Sequence, residues 1–339
     1  MSRPVVSVVI PAHNAMPDVI EAVESVLAQD RPADEVIVVD DRSSDGSGDA
    51  VRARFGERVR VIAGQFGSAA ASRNAGWRAA AGEWIAFLDA DDLWTPDKLS
   101  ASLALLAAAP HADWCFSDGT VHALDGRRHD SLFGLWAELE EPYCGSPVAE
   151  LIEVNFVLTS SVVARRSALE AEGGFDESLS HAEDVDLWIR LSRRGCATGT
   201  NRALVHYRAR ETGLSAQSHK RNFGAVTMFS RMAADRTLAP ALRRLARRRV
   251  SRHHYRLAIA ALREGDAGRA RRHLAMAWLF PGFATPVLLG FATSLLPGPL
   301  VQRLRGRKAV GAVAGPMKAP RRVRLSGFVP PPGADGKAQ

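Results

Sequence analysis

Cysteine is scarce and unpaired here. Cys115, Cys144 and Cys196 are the only three in 339 residues, at no repeated spacing. That argues against a disulfide framework and a thiolate zinc cage, and it fits a reducing compartment. The opening MSRPVVSVVIPAHN has too short an apolar run for a secretory leader and passes straight into a strand pattern, so an unprocessed N-terminus is expected. Acids are nearly missing from the last hundred positions. Residues 240–339 hold 3 Asp/Glu against 20 Lys/Arg, whereas residues 1–239 hold 34 against 24. The formal charge of +7 thus averages an acidic body and a basic tail, and the two face different partners. The tail lacks aromatics interleaved with its arginines. Tyr255, Trp278, Phe280 and Phe283 lie toward an apolar stretch instead, which favours an anionic membrane surface over stacked bases; no nucleic acid is expected.

What is present alternates. Short β-branched or apolar runs at Val5–Ile10, Val36–Val39, Val59–Ile62, Trp84–Leu88 and Trp114–Ser117 read as strands. Between them, residues 17–28, 68–80 and about 95–108 carry helical spacing. This order predicts an α/β, Rossmann-like, doubly wound and mostly parallel sheet, which binds ligands beyond the carboxyl ends of its strands. Acids stand there after three strands: Asp40/Asp41, Asp89/Asp91/Asp92 and Asp118. Residues 126–148 are turn-rich and read as a loop or lid; 157–164 read as a strand, 166–172 and 182–194 as helices. Beyond residue 222 the chain turns helical, with a break at Gly265-Asp266. Leu274–Val301 carries no charge, a span that would suit a bilayer, but Pro281, Pro286, Pro297 and Pro299 interrupt it, so an interfacial or re-entrant anchor is the better expectation, with burial against the preceding domain as the alternative. Residues 302–339, rich in Pro, Gly and Arg, read as a disordered tail.

Three segments carry chemistry. In Phe87-Leu88-Asp89-Ala90-Asp91-Asp92, three carboxylates follow an apolar strand. Carboxylates so close repel one another unless a cation holds them, and oxygen ligands suit Mg2+ or Mn2+, which would also take diphosphate oxygens. In Asp40-Asp41-Arg42-Ser43-Ser44-Asp45-Gly46, a carboxylate can accept hydrogen bonds from a base or a ribose, although a turn with a helix cap has the same look. In His181-Ala182-Glu183-Asp184-Val185-Asp186, three acids fall in a helix's first turn, where the helix dipole favours acids whatever their task.

Together with Val8–Asn14, Ser25–Gln29, Ser72-Arg73-Asn74-x-Gly76 and Gly174-Phe175-Asp176-Glu177, these segments resemble the family 2 glycosyltransferases of the GT-A fold, from Val6 to about Ser215. The resemblance implies a catalytic domain over residues 1–220, with a nucleotide-sugar half at about 1–118 and an acceptor half at about 119–220. A helical extension over 221–301 would follow, its 274–301 segment membrane-associated. It implies that Pro11, Ala12 and His13 line the base pocket and that Asp41 reads the base. Arg73 would help place the nucleotide or its phosphates, and Asp89 would lie near the ribose and donor sugar. Asp91 would be the metal-side carboxylate, with Asp92 an alternative or supporting ligand. Asp184 would be the catalytic base, and Glu183 would help hold the acceptor or that base.

The implied reaction is inverting transfer of a sugar from a nucleoside-diphosphate sugar to a hydroxyl of a glycan, glycolipid or lipid-linked acceptor, in envelope polysaccharide or glycolipid synthesis. The implied setting is the cytoplasm, peripheral on the inner face of the cell membrane. A Gln-x-x-Arg-Trp motif of processive relatives is missing, and where many relatives show Tyr-Arg-x-His the stretch reads Tyr207-Arg208-Ala209-Arg210. Two alternatives stand beside this reading. A sugar-phosphate nucleotidyltransferase would carry a Gly-rich loop where Pro11-Ala12-His13-Asn14 stands. The other is a non-catalytic nucleotide-sugar-binding protein.

Overall fold

A computed structural model describes residues 5–123, 126–210, 218–279 and 322–326. The first part runs β1 (Val6–Ala12), α1 (Asp18–Leu27), β2 (Glu35–Asp41), α2 (Ser47–Phe55), β3 (Arg60–Gly64), α3 (Ala69–Ala79) and β4 (Trp84–Phe87). Then come β5 (Leu93–Trp94), α4 (Lys98–Ala108), β6 (Ala112–His122), β7 (Arg128–His129), α5 (Phe133–Trp136), β8 (Ala137–Leu139), β9 (Tyr143–Gly145) and α6 (Val148–Glu153). The remainder is β10 (Val163–Arg165), α7 (Arg166–Glu172), α8 (Glu183–Arg194), β11 (Cys196–Arg208), α9 (Ser218–Ala234), α10 (Pro240–Glu264), α11 (Ala267–Trp278) and β12 (Val323–Leu325).

The main sheet has the order β3-β2-β1-β4-β10-β6-β11-β5. β3, β2, β1 and β4 are mutually parallel, as the alternating pattern demands. β10 is wedged antiparallel between β4 and β6. Period-2 alternation explains why both faces of the β1 and β2 strands are buried. Val8, Ile10, Val36 and Val38 join one core cluster, while Val9, Ile37 and Val39 join the other. Gly76 lets α3 approach this sheet closely, since a Cβ there would lie 2.3 Å from Val9 Cγ1.

Several expectations shift. Residues 126–148 carry β7, α5, β8 and β9 rather than one loop; each piece is two to four residues long, too short to show a period. Asp118 is in mid-strand, not at a strand end, and is 2% exposed. Its carboxylate accepts from the Gly119 and Phe133 N–H groups, which removes it from the acidic rim. Cys144 and Cys196, distant in sequence, have their thiols beside each other within β9 and β11, free and buried. β11 itself, thirteen residues long, was not legible as a strand.

α9 and the first part of α10 share the main core, while α11 packs on the rest of α10 in small clusters of its own. Met228, Phe229, Ala246 and Val250 belong to the same cluster as Val9 and Trp188. Val323 and Leu325 turn their apolar side chains inward where β12 pairs parallel with β8, and Arg324 meets Glu140, so this piece of the expected tail is ordered. The apolar segment beyond Leu279 lies outside the described residues. Among the described residues no helix is long and apolar enough to cross a membrane.

Candidate active site

The site is built where β1, β2 and β4 release the chain at the carboxyl edge. After β1, Asn14 takes a left-handed conformation (φ 48°), and the loop is laced to the one after β2. Asn14 N–H donates to Ser43 Oγ (3.0 Å), Ala15 N–H to Ser47 Oγ (2.9 Å) and Met16 N–H to Asp45 Oδ2 (2.9 Å), while Asn14 Oδ1 accepts from Ser44 N–H (2.8 Å). Asp45 therefore serves the turn, and its hydrogen bonds hold its carboxyl below the usual range against the opposing pull of burial.

The His13 ring lies on the Asp41 carbonyl (Nδ1 to O, 2.6 Å). Pro11 and Ala12 pair with Val39 and Asp40 in the sheet; Pro11 is half-buried and Ala12 buried. The Asp41 carboxylate is buried and accepts from the Phe66 and Gly67 N–H groups, each at 2.8 Å. It thus fastens the loop after β3 to the end of β2.

Arg73 is the hub of the acidic side. It reaches from α3, is 5% exposed, and its two terminal nitrogens donate to Asp89 (2.7 Å) and Glu183 (2.9 Å). Its guanidinium lies over the Phe175 ring (5.4 Å). Burial alone would weaken its charge, but the Asp89 and Glu183 carboxylates more than restore it. Next to Arg73, Asn74 clamps the glycine turn. Its Oδ1 accepts from Phe175 N–H and Trp77 Nε1, and its Nδ2 donates to the Phe175 carbonyl and to Glu177. Gly174, at φ 77° with its virtual Cβ 2.5 Å from Asn74 Oδ1, has no room for a side chain.

The three acids after β4 have different surroundings. Asp89 pairs with Arg73, and its own N–H donates to Ser160 Oγ. Asp92 is 1% exposed, and its oxygens accept from Ser160 Oγ (2.5 Å) and the Arg208 N–H (3.1 Å). Burial, then Asp89 and Asp91, push its carboxyl well up in spite of these bonds. Asp91 is pushed up to about 6 by burial and then by Asp89, and its side chain accepts no hydrogen bond from another described residue. The Arg208 side chain donates to the Asp91 carbonyl and to Glu21, so the end of β11 is tied to the acidic loop.

Glu183 and Asp184 open α8 after Ala182, which is left-handed (φ 70°). Asp184 Oδ1 accepts from Val185 N–H (2.7 Å), and Oδ2 accepts from Asn155 Nδ2 (3.3 Å). Burial, then the Glu183 carboxylate, raise the Asp184 carboxyl to about 6. The field of Asp89 acts on both Asp91 and Asp184. The acids after β4 and those opening α8 are therefore brought together, with Arg73 bonded to Asp89 on one side and Glu183 on the other. Asp186 turns aside and pairs with Arg190 (2.8 Å).

Among the described residues, no three acid, His or Cys side chains converge as a metal cage. The donor set still suits a hard cation. Asp91 and the second oxygen of Asp89 accept no hydrogen bond from another described residue, and Mg2+ and Mn2+ sites commonly use one or two carboxylates with substrate phosphates completing the shell. Sequence reasoning missed Ser160 and Asn155, which sit in β-branched or mixed loops without a motif; Arg208 lay in the noted Tyr-Arg stretch.

Residues 7–169 match the family model "Glycosyl transferase family 2". The chain is 29% identical over 226 residues to the putative teichuronic acid biosynthesis glycosyltransferase TuaG of Bacillus subtilis, covering 64% of this chain and 84% of that protein. Other curated relatives are spanned less fully, 63% of one and 37% of another. Among solved structures, S. aureus TarS 1–349 in complex with UDP-GlcNAc superposes with a TM-score of 0.64 at 18% identity, over 91% of this chain and 89% of that one. The mannosyltransferase PcManGT of Pyrobaculum calidifontis, in complex with GDP-Man and Mn2+, gives 0.54 at 22% identity, over 93% and 87%. At such identities the likeness establishes the fold.

Proposed function

We propose, on the match of residues 7–169 to the glycosyl transferase family 2 model, that this chain moves a sugar from a nucleoside-diphosphate sugar to an acceptor hydroxyl with inversion, Asp184 acting as base. The observation that carries the reading is geometric: buried Arg73 bonds at once to Asp89 after β4 (2.7 Å) and to Glu183 at the start of α8 (2.9 Å), which brings Asp91 and Asp184, the neighbours of those two acids, to one place. A structural cap needs no such convergence.

Each residue then has a task. The loops after β1 and β2, laced through Asn14 and Ser43–Ser47, form the base side, with Pro11, Ala12 and His13 on it. Asp41 shapes that pocket by holding Phe66 and Gly67, and its remaining lone pairs face the base. Arg73 sets the spacing of Asp89 against Glu183. Asp92, held by Ser160 and Arg208, positions Asp91 rather than reaching outward. Asp91, with Asp89, would hold Mn2+ or Mg2+, which supplies neutralisation of a leaving diphosphate. Asp184 takes the acceptor proton as the hydroxyl attacks the anomeric carbon, and its raised carboxyl suits a base working near neutral pH. Glu183 and Asn155 orient it.

UDP-sugars are the first donors to test, given what TarS binds, and an envelope polysaccharide is the setting TuaG's name supplies. The basic C-terminal region supports action at the inner face of a membrane on a lipid-linked acceptor. The test is turnover of UDP-, GDP- and dTDP-sugars with a membrane extract as acceptor source, with and without Mn2+. Release of nucleoside diphosphate supports transfer; release of inorganic diphosphate would indicate a nucleotidyltransferase, and neither product a binding protein.

A further inference from the structure

Arginines crowd one stretch of α10 without acids to balance them. Arg249, Arg252 and Arg256 recur at i, i+3 and i+7, with His253 among them, so they line one side of the helix. Arg252 is 9% exposed, and its Nε has no partner; the same is true of Arg249 Nε. Among the described residues none of the three makes an ion pair. The groups facing them are few. Glu153 of α6 acts on Arg249, and Arg221 of α9 adds positive charge beside Arg256 and His253. Glu264 and Asp266, the nearest acids in sequence, are taken by Arg269, and only Asp335 follows them.

The floor of this patch is built from ring contacts and a hydrogen bond. His253 stacks on Phe229 (5.8 Å, 19°) and holds Asn222 Oδ1 through Nδ1 (2.8 Å). The Arg249 guanidinium covers the other part of the Phe229 ring (5.3 Å). The concentration of charge registers on its members. Burial and then the neighbouring arginines draw Arg249 and Arg256 down to about 10 and hold His253 well below its ordinary range. Buried guanidiniums are ordinarily paired, because desolvating an uncompensated charge is costly. An anion from outside the described residues meets that requirement. The planar fork of arginine matches phosphate oxygens, and half-buried Arg249 and Arg256 give access while Arg252 lies deeper.

We propose that this side of α10 is a binding site for a phosphate-class oxyanion, held by Arg249, Arg252 and Arg256. The site is separate from the cleft and does not rest on the glycosyl-transfer reading. Two sources share the chemistry: the phosphate of a lipid headgroup, and a soluble or lipid-carried diphosphate.

The test uses the full chain in metal-free, EDTA-containing buffer at fixed ionic strength, titrated calorimetrically with pyrophosphate. Saturable binding is expected, weakened about tenfold or more by each of Arg249→Gln and Arg256→Gln. Asp91→Ala, which addresses the donor cleft, should leave it unchanged; loss of binding there, with the arginine variants unaffected, would overturn the site. The double variant should melt at or above the wild type in phosphate-free buffer, since it removes repelling charge. A lower melting temperature would make these arginines structural and overturn the proposal, as would no pyrophosphate binding by the wild type. Flotation with phosphatidylglycerol vesicles assigns the source. Flotation lost on adding pyrophosphate and in the double variant supports a headgroup in the site. Flotation unaffected by either, with pyrophosphate binding still lost in the variant, supports a diphosphate.

Discussion

Asp184→Asn is expected to lose activity and gain stability together. The folded state raises the Asp184 carboxyl from its ordinary value near 3.8 to about 6, burial first and Glu183 second. At about 1.4 kcal/mol per pH unit, keeping it ionised costs the fold on the order of 3 kcal/mol above pH 6. The sign follows from the raised value. The cost is full above the folded pKa, shrinks as pH falls through about 6, and vanishes below the unfolded value. A neutral amide escapes it. Part of the gain is returned, because the new amide nitrogen faces Asn155 Nδ2 where the carboxylate had accepted, a loss of about 1 kcal/mol. A net gain of about 1–2 kcal/mol in a chain of this length corresponds to roughly 1–3 °C in melting temperature. The same change would remove the proposed base, worth about 10²–10⁴-fold in rate. The assays are melting at pH 7.5 and 5, nucleoside diphosphate release with donor and acceptor, and nucleotide binding with Mn2+, which should persist. A variant that keeps a tenth or more of wild-type turnover, or that melts lower at pH 7.5, would refute the argument.

In the wild type the acid limb of kcat/KM should fall below pH about 6, as Asp184 takes up its proton, and Glu183→Gln should move that limb to lower pH; a limb unmoved by the change would remove Glu183 from the base's surroundings. Arg73→Met strands two carboxylates in a nearly buried setting and should cost about 3–5 kcal/mol, read by urea unfolding. Asp91→Ala should abolish the Mn2+ dependence of nucleotide binding while the fold holds, checked by calorimetry with and without the ion; an undiminished dependence would place the cation elsewhere. Asp41→Asn exchanges an acceptor for a donor against the Phe66 or Gly67 N–H, and should cost about 1–3 kcal/mol with weaker nucleotide binding, measured by thermal shift with UDP.

How much of this was legible beforehand differs by element. Strands of β-branched residues separated by amphipathic helices announce a parallel sheet, since burial on both faces leaves them no other composition. The acids after β2 and β4 were readable as standing on one rim, because the sheet's carboxyl edge is where such loops emerge. β11 escaped because Thr-Gly-Thr-Asn-Arg breaks its pattern and bulges its register near Thr200 and Ala203. Asp118 misled because strand length is decided by partners in β10 and β11, which no local window contains.

The sequence by itself determined the strand and helix order of the first hundred or so residues and the charge division between body and tail, because these depend on neighbours within a few positions. Only the tertiary structure decided which acids face one another. Arg73 and Glu183 stand 110 residues apart, Asp92 and Arg208 stand 116 apart, and their pairing follows from how the sheet and α8 pack. A carboxylate's task is set by its surroundings: Asp91 accepts no hydrogen bond from another described residue, Asp92 is enclosed, and Asp118 is spent on backbone N–H groups. Three residues of one kind thus receive three roles that composition and spacing do not distinguish.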